Sequence, residues 1–144
     1  MPGKFAALEF ADDVSERAQA IGSANTLVRD GGTWRADNTD CEGIAGALDE
    51  LVGKQTAIGH ALVIGGGGTA RPALWSLAER GAEKVTVLNR SDRSDELLPL
   101  LRGVEADFID FNRDLEPLAM SVDLIISTVP PAALEGREKA LGHA

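Results

Sequence analysis

The chain contains 144 residues, of which 44% are hydrophobic and 26% are charged, a composition typical of one globular domain rather than of a disordered or collagen-like polymer. Its 14 basic and 23 acidic residues give a net charge of −9, which argues against non-specific binding to nucleic acid phosphates. No apolar run approaches the ~20 residues that cross a bilayer, and the single cysteine, Cys41, excludes an internal disulfide and a multi-thiolate zinc site. We therefore expect a cytoplasmic protein with no nucleic acid partner, no membrane partner and no metal site.

The first part of the chain is predicted to contain two helices separated by a hairpin. Apolar residues recur every three or four positions over 5–21, which predicts one continuous helix. Two short β-prone runs at 26–28 and 33–35 are separated by an Asp-Gly-Gly turn and predict a β-hairpin. A polar loop follows at 37–40, and helical spacing resumes over 44–51.

The second part alternates short apolar runs with helical segments. Strands are predicted over 61–64, 84–88, 106–111 and 123–127, and helices over 70–80, 95–102, 115–120 and 131–141. Strands that alternate with helices of this length predict an α/β fold with a parallel sheet. The pattern changes between residues 51 and 59, so we divide the chain into residues 1–52 and 53–144.

A glycine-rich loop follows the first strand of the second part and opens the next helix. It consists of Gly65, Gly66, Gly67, Gly68, Thr69 and Ala70. In the pattern Gly-x-Gly-x-x-Ala, Gly65 makes the tight turn, Gly67 lets a pyrophosphate approach the backbone, and Ala70 packs the helix on the strand. The N–H groups and positive dipole end of the helix favour phosphate binding at this point. A purely structural turn is the alternative, and the strand–turn–helix context favours a dinucleotide.

The end of the second strand predicts which dinucleotide binds. An NAD site usually carries an acidic residue there to hold the ribose hydroxyls. This chain instead has Asn89, Arg90, Ser91, Asp92 and Arg93. A guanidinium attracts a ribose 2′-phosphate that a carboxylate would repel, so we predict NADP, held by Asn89, Arg90, Ser91 and Arg93. A solvated strand end is the alternative for Arg90, and neutralisation by the nearby Asp92 or Asp95 is the alternative for Arg93.

Two hydroxyl side chains, Ser127 and Thr128, end the fourth strand. Ligands of doubly wound sheets bind at the carboxyl ends of the strands, beside the point where the strand order reverses. We therefore predict that both residues line the cofactor groove, and capping of the next helix remains open as the alternative.

Five short motifs resemble those of shikimate dehydrogenases in order and in spacing, along essentially the whole chain. They are Pro2-Gly3-Lys4, Ser23-Ala24-Asn25-Thr26, Asp37-Asn38-Thr39-Asp40, the loop at 65–71, and Asn89-Arg90-Ser91. The resemblance implies that residues 53–144 form an incomplete NADP-binding domain, a Rossmann-like parallel sheet with strand order 3-2-1-4. It also implies that residues 1–52 are the last part of the α/β shikimate-binding domain, together with a connecting helix.

The resemblance further implies a reaction and the residues that perform it. Lys4 and Asp40 correspond to the catalytic pair, and Asn25 binds the substrate with them. The reaction is the NADP-dependent interconversion of 3-dehydroshikimate and shikimate, a step of aromatic amino-acid biosynthesis. Such chemistry needs an ammonium that polarises the carbonyl and a carboxylate that orients it. Without the resemblance, Lys4 could equally be an unordered terminal charge, Asp40 a helix N-cap, and Asn25 a turn residue.

Members of this family are nearly twice as long as this chain, with further segments on both sides. We therefore expect a central portion of such an enzyme, which binds NADP weakly but measurably and turns over shikimate negligibly by itself. An incomplete sheet leaves edge strands open, which favours a homodimer.

Two other functions stay open at this point. One is a quinate/shikimate dehydrogenase that uses NAD, and the other is a non-catalytic nucleotide-binding or interaction module. A methyltransferase is disfavoured because no acidic residue ends the second strand. His60 and His143 match no site of the family and are predicted to be exposed, whereas Cys41 is predicted to be a small packed residue rather than a nucleophile.

Overall fold

The computed structural model describes residues 2–129, which form two β-sheets with helices packed against them. The first part comprises α1 (Pro2–Phe10), β1 (Asp13–Val14), α2 (Glu16–Ile21), β2 (Thr26–Asp30), β3 (Thr33–Asp37) and α3 (Asp40–Leu51). The second comprises β4 (His60–Ile64), α4 (Ala70–Arg80), β5 (Lys84–Leu88), α5 (Ser94–Leu97), a 3-10 helix (Leu98–Leu100), β6 (Glu105–Ile109), α6 (Leu115–Ser121) and β7 (Leu124–Ser127). The helix expected at 131–141 and His143 lie outside the described residues. Between residues 2 and 129, no helix combines the length and the hydrophobicity that a transmembrane segment requires.

The smaller sheet has the strand order β1-β3-β2. Strands β2 and β3 pair antiparallel, with Val28 opposite Arg35, and the two residues Gly31 and Gly32 connect them. The predicted hairpin is therefore confirmed. Strand β1 adds to the other side of β3 in the parallel direction, through Asp13 opposite Arg35.

The single helix predicted over 5–21 is wrong, because β1 interrupts it. The Trp34 N–H donates to the Asp12 carboxylate over 2.9 Å, and the Asp12 N–H donates to the Trp34 carbonyl over 2.9 Å. The chain is thereby pulled out of helical geometry, and Ser15 starts a new helix by accepting a hydrogen bond from the Ala18 N–H. The apolar spacing fits two short helices as well as one long helix, so periodicity alone could not reveal the break.

The larger sheet is parallel throughout and has the order β6-β5-β4-β7, which confirms the predicted order 3-2-1-4 and the Rossmann-like fold. Ile64 at the end of β4 is level with Leu88 of β5 and with Ser127 of β7, and Leu88 is level with Ile109 of β6. The four carboxyl ends therefore reach one common edge, from which the following loops project.

Both faces of the larger sheet are covered, as a parallel sheet requires. On one face, Val63 packs in a cluster with Leu74 of α4, and on the other face Ile64 packs with Leu115 of α6. Cys41 of α3 belongs to the first cluster and is 6% exposed, so its prediction as a packed residue is confirmed. Burial raises the pKa of the Cys41 thiol, which keeps it protonated and poorly nucleophilic at neutral pH.

Two further predictions need correction. His60 is half-buried rather than exposed, because its Nε2 lies 2.7 Å from the Thr86 hydroxyl on the adjacent strand, and burial lowers the pKa of its imidazole. The α-helix predicted over 95–102 is shorter in the structure, where α5 ends at Leu97 and a 3-10 turn that contains Pro99 follows it. Proline has no N–H to continue an α-helical ladder, which accounts for the change of helix type. Within residues 2–129, the other predicted elements agree with the structure to within a few residues at their ends, except that α3 begins at Asp40, four residues before the predicted start.

Candidate functional site

A first cluster of candidate residues lies where α1, the segment before β2 and the start of α3 meet. The Lys4 Nζ donates to Asp40 Oδ2 over 2.7 Å, and the Asn25 side-chain amide donates to Asp40 Oδ1 over 2.8 Å. The Lys4 side chain is 15% exposed and that of Asp40 is 33% exposed, so the ion pair is only partly hydrated. The fold thus brings together the three predicted residues, although Lys4 and Asp40 are 36 positions apart in the sequence.

Asparagine side chains hold the loop that presents Asp40. The Asn38 side chain is completely buried, donates to the Ser23 carbonyl over 3.2 Å and accepts from the Asp40 N–H over 3.1 Å. The Asn25 Oδ1 accepts from the Thr39 N–H over 2.9 Å. Thr39 occupies the N-cap position and Asp40 is the first residue of α3, so Asp40 is not an N-cap. Its carboxylate lies in the first turn of α3, at the positive end of the helix dipole.

A second carboxylate in the same loop, Asp37, has a different environment. Arg17 donates to it from Nε and from Nη2, each over 2.8 Å, and the Ser15 hydroxyl donates over 2.6 Å. The Arg17 hydrogen bonds hold the pKa of the Asp37 carboxyl well below its usual range, and the same contact raises the pKa of Arg17. Asp37 is therefore a structural anion at the end of β3, whereas Asp40 keeps the partner lysine. Sequence reasoning missed this pair, since no local pattern joins residues 17 and 37.

The glycine loop begins directly after β4 and is held by the ends of the neighbouring strands. Gly65 has φ of +114°, and its N–H donates to the Leu88 carbonyl over 2.8 Å. A Cβ at this position would collide with the Thr128 hydroxyl, which itself donates to the Ile64 carbonyl over 2.7 Å. At Gly67, by contrast, a Cβ would meet no atom within 4 Å among the described part of the chain. The loop is therefore tightly packed where it turns and open where a ligand can approach.

A cavity of about 530 Å³ lies over this loop. It is lined by Gly65, Gly66, Gly67, Gly68, Thr69, Asn89, Arg90, Ser91, Arg93, Thr128 and Val129. Ala70 is completely buried below the loop, and Ser127 is placed in β7, level with Ile64, rather than in the cavity lining. The structure therefore gathers ten of the predicted cofactor residues around one groove, with Ala70 packed beneath it and Ser127 beside it.

A second cavity of about 220 Å³ adjoins the first and shares Asn89, Arg90, Ser91 and Arg93 with it. Its remaining walls are mostly apolar, and they are formed by Val87, Leu97, Phe108 and Ile109 together with Asp92 and Asp110. Arg90 and Arg93 therefore lie on the segment that the two cavities share, and the smaller cavity has an apolar wall. This apolar wall was not anticipated from the sequence.

The surroundings of the two arginines differ. The Arg93 Nη1 lies 3.6 Å from Glu96 Oε2, so Glu96 rather than the expected Asp92 or Asp95 is its acidic neighbour. Hydrogen bonds from Ser94 to Asp92 lower the pKa of that carboxyl. Arg90 is exposed and has no ion-pair partner within residues 2–129. Over the same range, no three His, Cys, Asp or Glu side chains come together as a metal site would need.

Comparison with known proteins identifies similar sequences and folds. The family model Shikimate / quinate 5-dehydrogenase matches residues 48–137. The shikimate dehydrogenase (NADP(+)) of Methanothermobacter thermautotrophicus is 37% identical over 134 residues, which cover 90% of this chain and 46% of that protein. The crystal structure of Mycobacterium tuberculosis shikimate dehydrogenase has a TM-score of 0.86 at 46% identity, covering 98% of this chain and 53% of that one.

A quinate dehydrogenase from Corynebacterium glutamicum, solved in complex with NAD, has a TM-score of 0.78 at 27% identity, over 91% of this chain and 49% of that one. This chain therefore spans about half the length of the relatives that it matches. The family model covers more than half of the chain, and relatives of the same family agree with its sequence and its fold. On this evidence, the chain belongs to the shikimate / quinate 5-dehydrogenase family.

Proposed function

We propose that this chain provides the dinucleotide-binding groove and the catalytic pair of an NADP-dependent shikimate dehydrogenase. In this proposal residues 53–144 bind NADP, and residues 1–52 belong to the part that binds shikimate or 3-dehydroshikimate. The observation that carries it is the Lys4–Asp40 ion pair of 2.7 Å, with Asn25 on the second carboxylate oxygen. A half-buried lysine that a carboxylate holds in one place is suited to donate a proton to a bound substrate.

The residues around the two cavities fit NADP. The start of α4 lies at the groove, and the Thr69 side chain makes no capping hydrogen bond there with any residue of the described chain. Backbone N–H groups are thus left for a pyrophosphate, and the open side of Gly67 allows it to approach. The apolar wall of the smaller cavity suits an adenine ring, and Arg90 is free to bind a 2′-phosphate.

The proposed contact with the substrate uses the N–H groups of Lys4 that do not bind Asp40. An ammonium has three N–H bonds, and Lys4 uses one of them on Asp40, so others can point to a substrate carbonyl oxygen. Hydrogen bonding from Lys4 polarises that carbonyl and supplies the proton to the alcohol oxygen as it forms. Asp40 holds the ammonium in place, and Asn25 fixes the other carboxylate oxygen and thereby the orientation of Asp40. NADPH, when bound, supplies the hydride.

The second candidate is a quinate/shikimate dehydrogenase that uses NAD, as the quinate dehydrogenase of Corynebacterium glutamicum was solved with NAD. Arg90 favours NADP, because its unpaired guanidinium lies at the junction of the two cavities where the adenosine ribose would bind. The cytoplasmic location and the absence of a nucleic acid partner also remain proposals, supported by the single cysteine and the net charge of −9.

Calorimetric titration of the 144-residue chain with NADP+, NAD+, shikimate and quinate tests the proposal. We expect weak but measurable binding of NADP+, weaker binding of NAD+, and negligible steady-state turnover. Lys4→Met and Asp40→Asn should each reduce shikimate affinity by about tenfold or more, because a charge-assisted hydrogen bond is lost, and should leave NADP+ affinity unchanged. Absence of NADP+ binding would refute the proposed function, and rapid turnover would refute the expectation that this chain alone is inactive.

We also propose a homodimer that forms through the edge of the smaller sheet. Strand β2 lies at this edge, and Leu27 and Val28 are 36% and 54% exposed there. An unpaired strand edge with exposed apolar side chains is a template for pairing with a second chain. Sedimentation over a range of protein concentrations tests this assembly, and a monomer at every concentration would exclude it.

A further inference from the structure

The side chain of Arg71 connects the glycine loop to the helix that carries Lys4. Arg71 is the second residue of α4, immediately after the loop, and its Nη1 donates to the Ile21 carbonyl at the end of α2 over 2.8 Å. The guanidinium carbon also lies 5.7 Å from the centroid of the Phe5 ring, within the range of a cation–π contact. Phe5 follows Lys4 in α1, so Arg71 packs against the neighbour of the candidate catalytic lysine.

The contacts of Arg71 with α1 and α2 explain why a positively charged side chain is tolerated in the first turn of α4. A positive charge near the start of α4 opposes the dipole of its own helix. At the end of α2, however, the same charge meets carbonyl groups with partial negative charge, and Gly22 leaves room for it, since a Cβ there would lie 3.2 Å from the Arg71 Nη1. The Arg71 side chain is only 15% exposed. The location of Arg71 therefore follows from what it binds across the molecule, not from α4 itself.

A shared carboxylate extends this contact to the cofactor groove. The Glu96 Oε2 lies 3.5 Å from the Arg71 Nη2 and 3.6 Å from the Arg93 Nη1. Arg93 lines both cavities of the proposed cofactor site. A continuous series of contacts thus runs from the groove through Arg93, Glu96 and Arg71 to Phe5 in α1.

We propose that Arg71 is a positioning residue that couples occupation of the dinucleotide groove to the placement of Lys4. This inference rests on the proposed function, since it takes NADP as the ligand. A phosphate that attracts Arg93 removes one of the two cations that share Glu96. Glu96 then pairs with Arg71 alone, so the guanidinium is fixed more firmly against Phe5 and α1, and Lys4 becomes less accessible. Because binding couplings are reciprocal, a ligand held by Lys4 also raises the affinity of the groove.

Competitive acylation of lysine amines, read by mass spectrometry, measures this coupling. Lys54 and Lys84 serve as internal reference amines in the same chain. The probe is adenosine 2′,5′-bisphosphate, which carries the adenosine and 2′-phosphate of NADP and has no nicotinamide that could cover Lys4 directly. In the wild-type chain we expect saturating probe to slow acylation of Lys4 about fivefold or more, and to leave Lys54 and Lys84 unchanged.

Three variants separate a positioning role from a loss of stability. Arg71→Met should raise the acylation rate of Lys4 in the free chain and abolish the response to the probe. The Glu96 side chain is 53% exposed, so Glu96→Gln should leave the fold intact. This variant should abolish the effect of the probe on Lys4 acylation without changing the acylation rate of Lys4 in the free chain. Arg102→Met is the matched control, because Arg102 also stacks on an aromatic ring, that of Trp75 at 4.1 Å, and pairs with Glu79 at 2.7 Å. Its response should equal that of the wild type.

Calorimetry with the same probe distinguishes the possible failures. If the bisphosphate binds but Lys4 acylation does not change, or if Glu96→Gln responds like the wild type, the coupling is refuted and the proposed cofactor site stands. If the bisphosphate does not bind at all, the proposed function and the coupling are both refuted.

Discussion

Replacement of Gly65 by alanine is expected to lower the free energy of unfolding and to weaken NADP+ binding, whereas Gly67→Ala should weaken NADP+ binding without changing the stability of the fold. Gly65 has φ of +114°, and an added Cβ would collide with the Thr128 hydroxyl that anchors the end of β7. Backbone strain of this kind costs about 1–3 kcal/mol. Gly67 lies in open space on the groove, so its methyl group would leave the fold intact and occupy the volume that a pyrophosphate needs.

Urea unfolding and calorimetric titration of the two variants measure these effects separately. For Gly67→Ala we expect at least about tenfold weaker NADP+ binding, corresponding to about 1.4 kcal/mol, with an unchanged unfolding midpoint. Gly43→Ala is a suitable control, because Gly43 is exposed in α3 and a Cβ there meets no atom within 4 Å in the described residues. It should stabilise the chain by about 0.5–1 kcal/mol and leave binding unaltered. Wild-type affinity in Gly67→Ala would contradict the placement of the pyrophosphate.

Replacement of Arg90 by serine should change the selectivity between NADP+ and NAD+ by about tenfold or more. A hydrogen bond to a charged group contributes about 1.5–3 kcal/mol, and only NADP+ carries the 2′-phosphate that Arg90 is proposed to bind. NADP+ affinity should therefore fall, while NAD+ affinity stays constant. Since Arg90 is exposed, the preference of the wild type for NADP+ should also diminish as the salt concentration rises.

Titrations with both nucleotides at two salt concentrations test this prediction. Arg113→Ser provides the control, because Arg113 is an exposed arginine in the loop after β6, 3.7 Å from Asp107, and lines neither cavity. This variant should keep the wild-type selectivity. An equal loss of affinity for NADP+ and NAD+ in Arg90→Ser would place Arg90 on the diphosphate common to both nucleotides and would refute its role in selectivity.

The larger sheet could be predicted from the sequence because its signals are local. Strand β4 is apolar and buried along almost its whole length, the glycine loop follows at once, and α4 has the bounds that its apolar spacing predicted. The break between α1 and α2 could not be predicted, since it depends on the pairing of Asp12 with Trp34, a residue on another strand. The partial burial of His60 could not be predicted either, because it depends on a contact with Thr86 of the neighbouring strand.

The candidate site was predictable only in part. Asn89, Arg90 and the glycine loop follow from a motif whose physical purpose is understood, whereas Lys4 and Asn25 were selected through the family resemblance. Their residue types alone are compatible with many surface positions. The supporting roles of Arg17, Asn38 and Glu96 were missed, because their partners are distant in sequence or depend on side-chain geometry that no spacing rule encodes.

The buried thiol of Cys41 gives the molecule a natural reporter of local opening. Cys41 directly follows Asp40 and is 6% exposed within the first turn of α3. A soluble alkylating reagent gains access to the sulfur when that turn separates from the core, so its reaction rate measures how often the separation occurs. Since the chain has no other cysteine, the motion of the segment that carries Asp40 can be followed without adding a label.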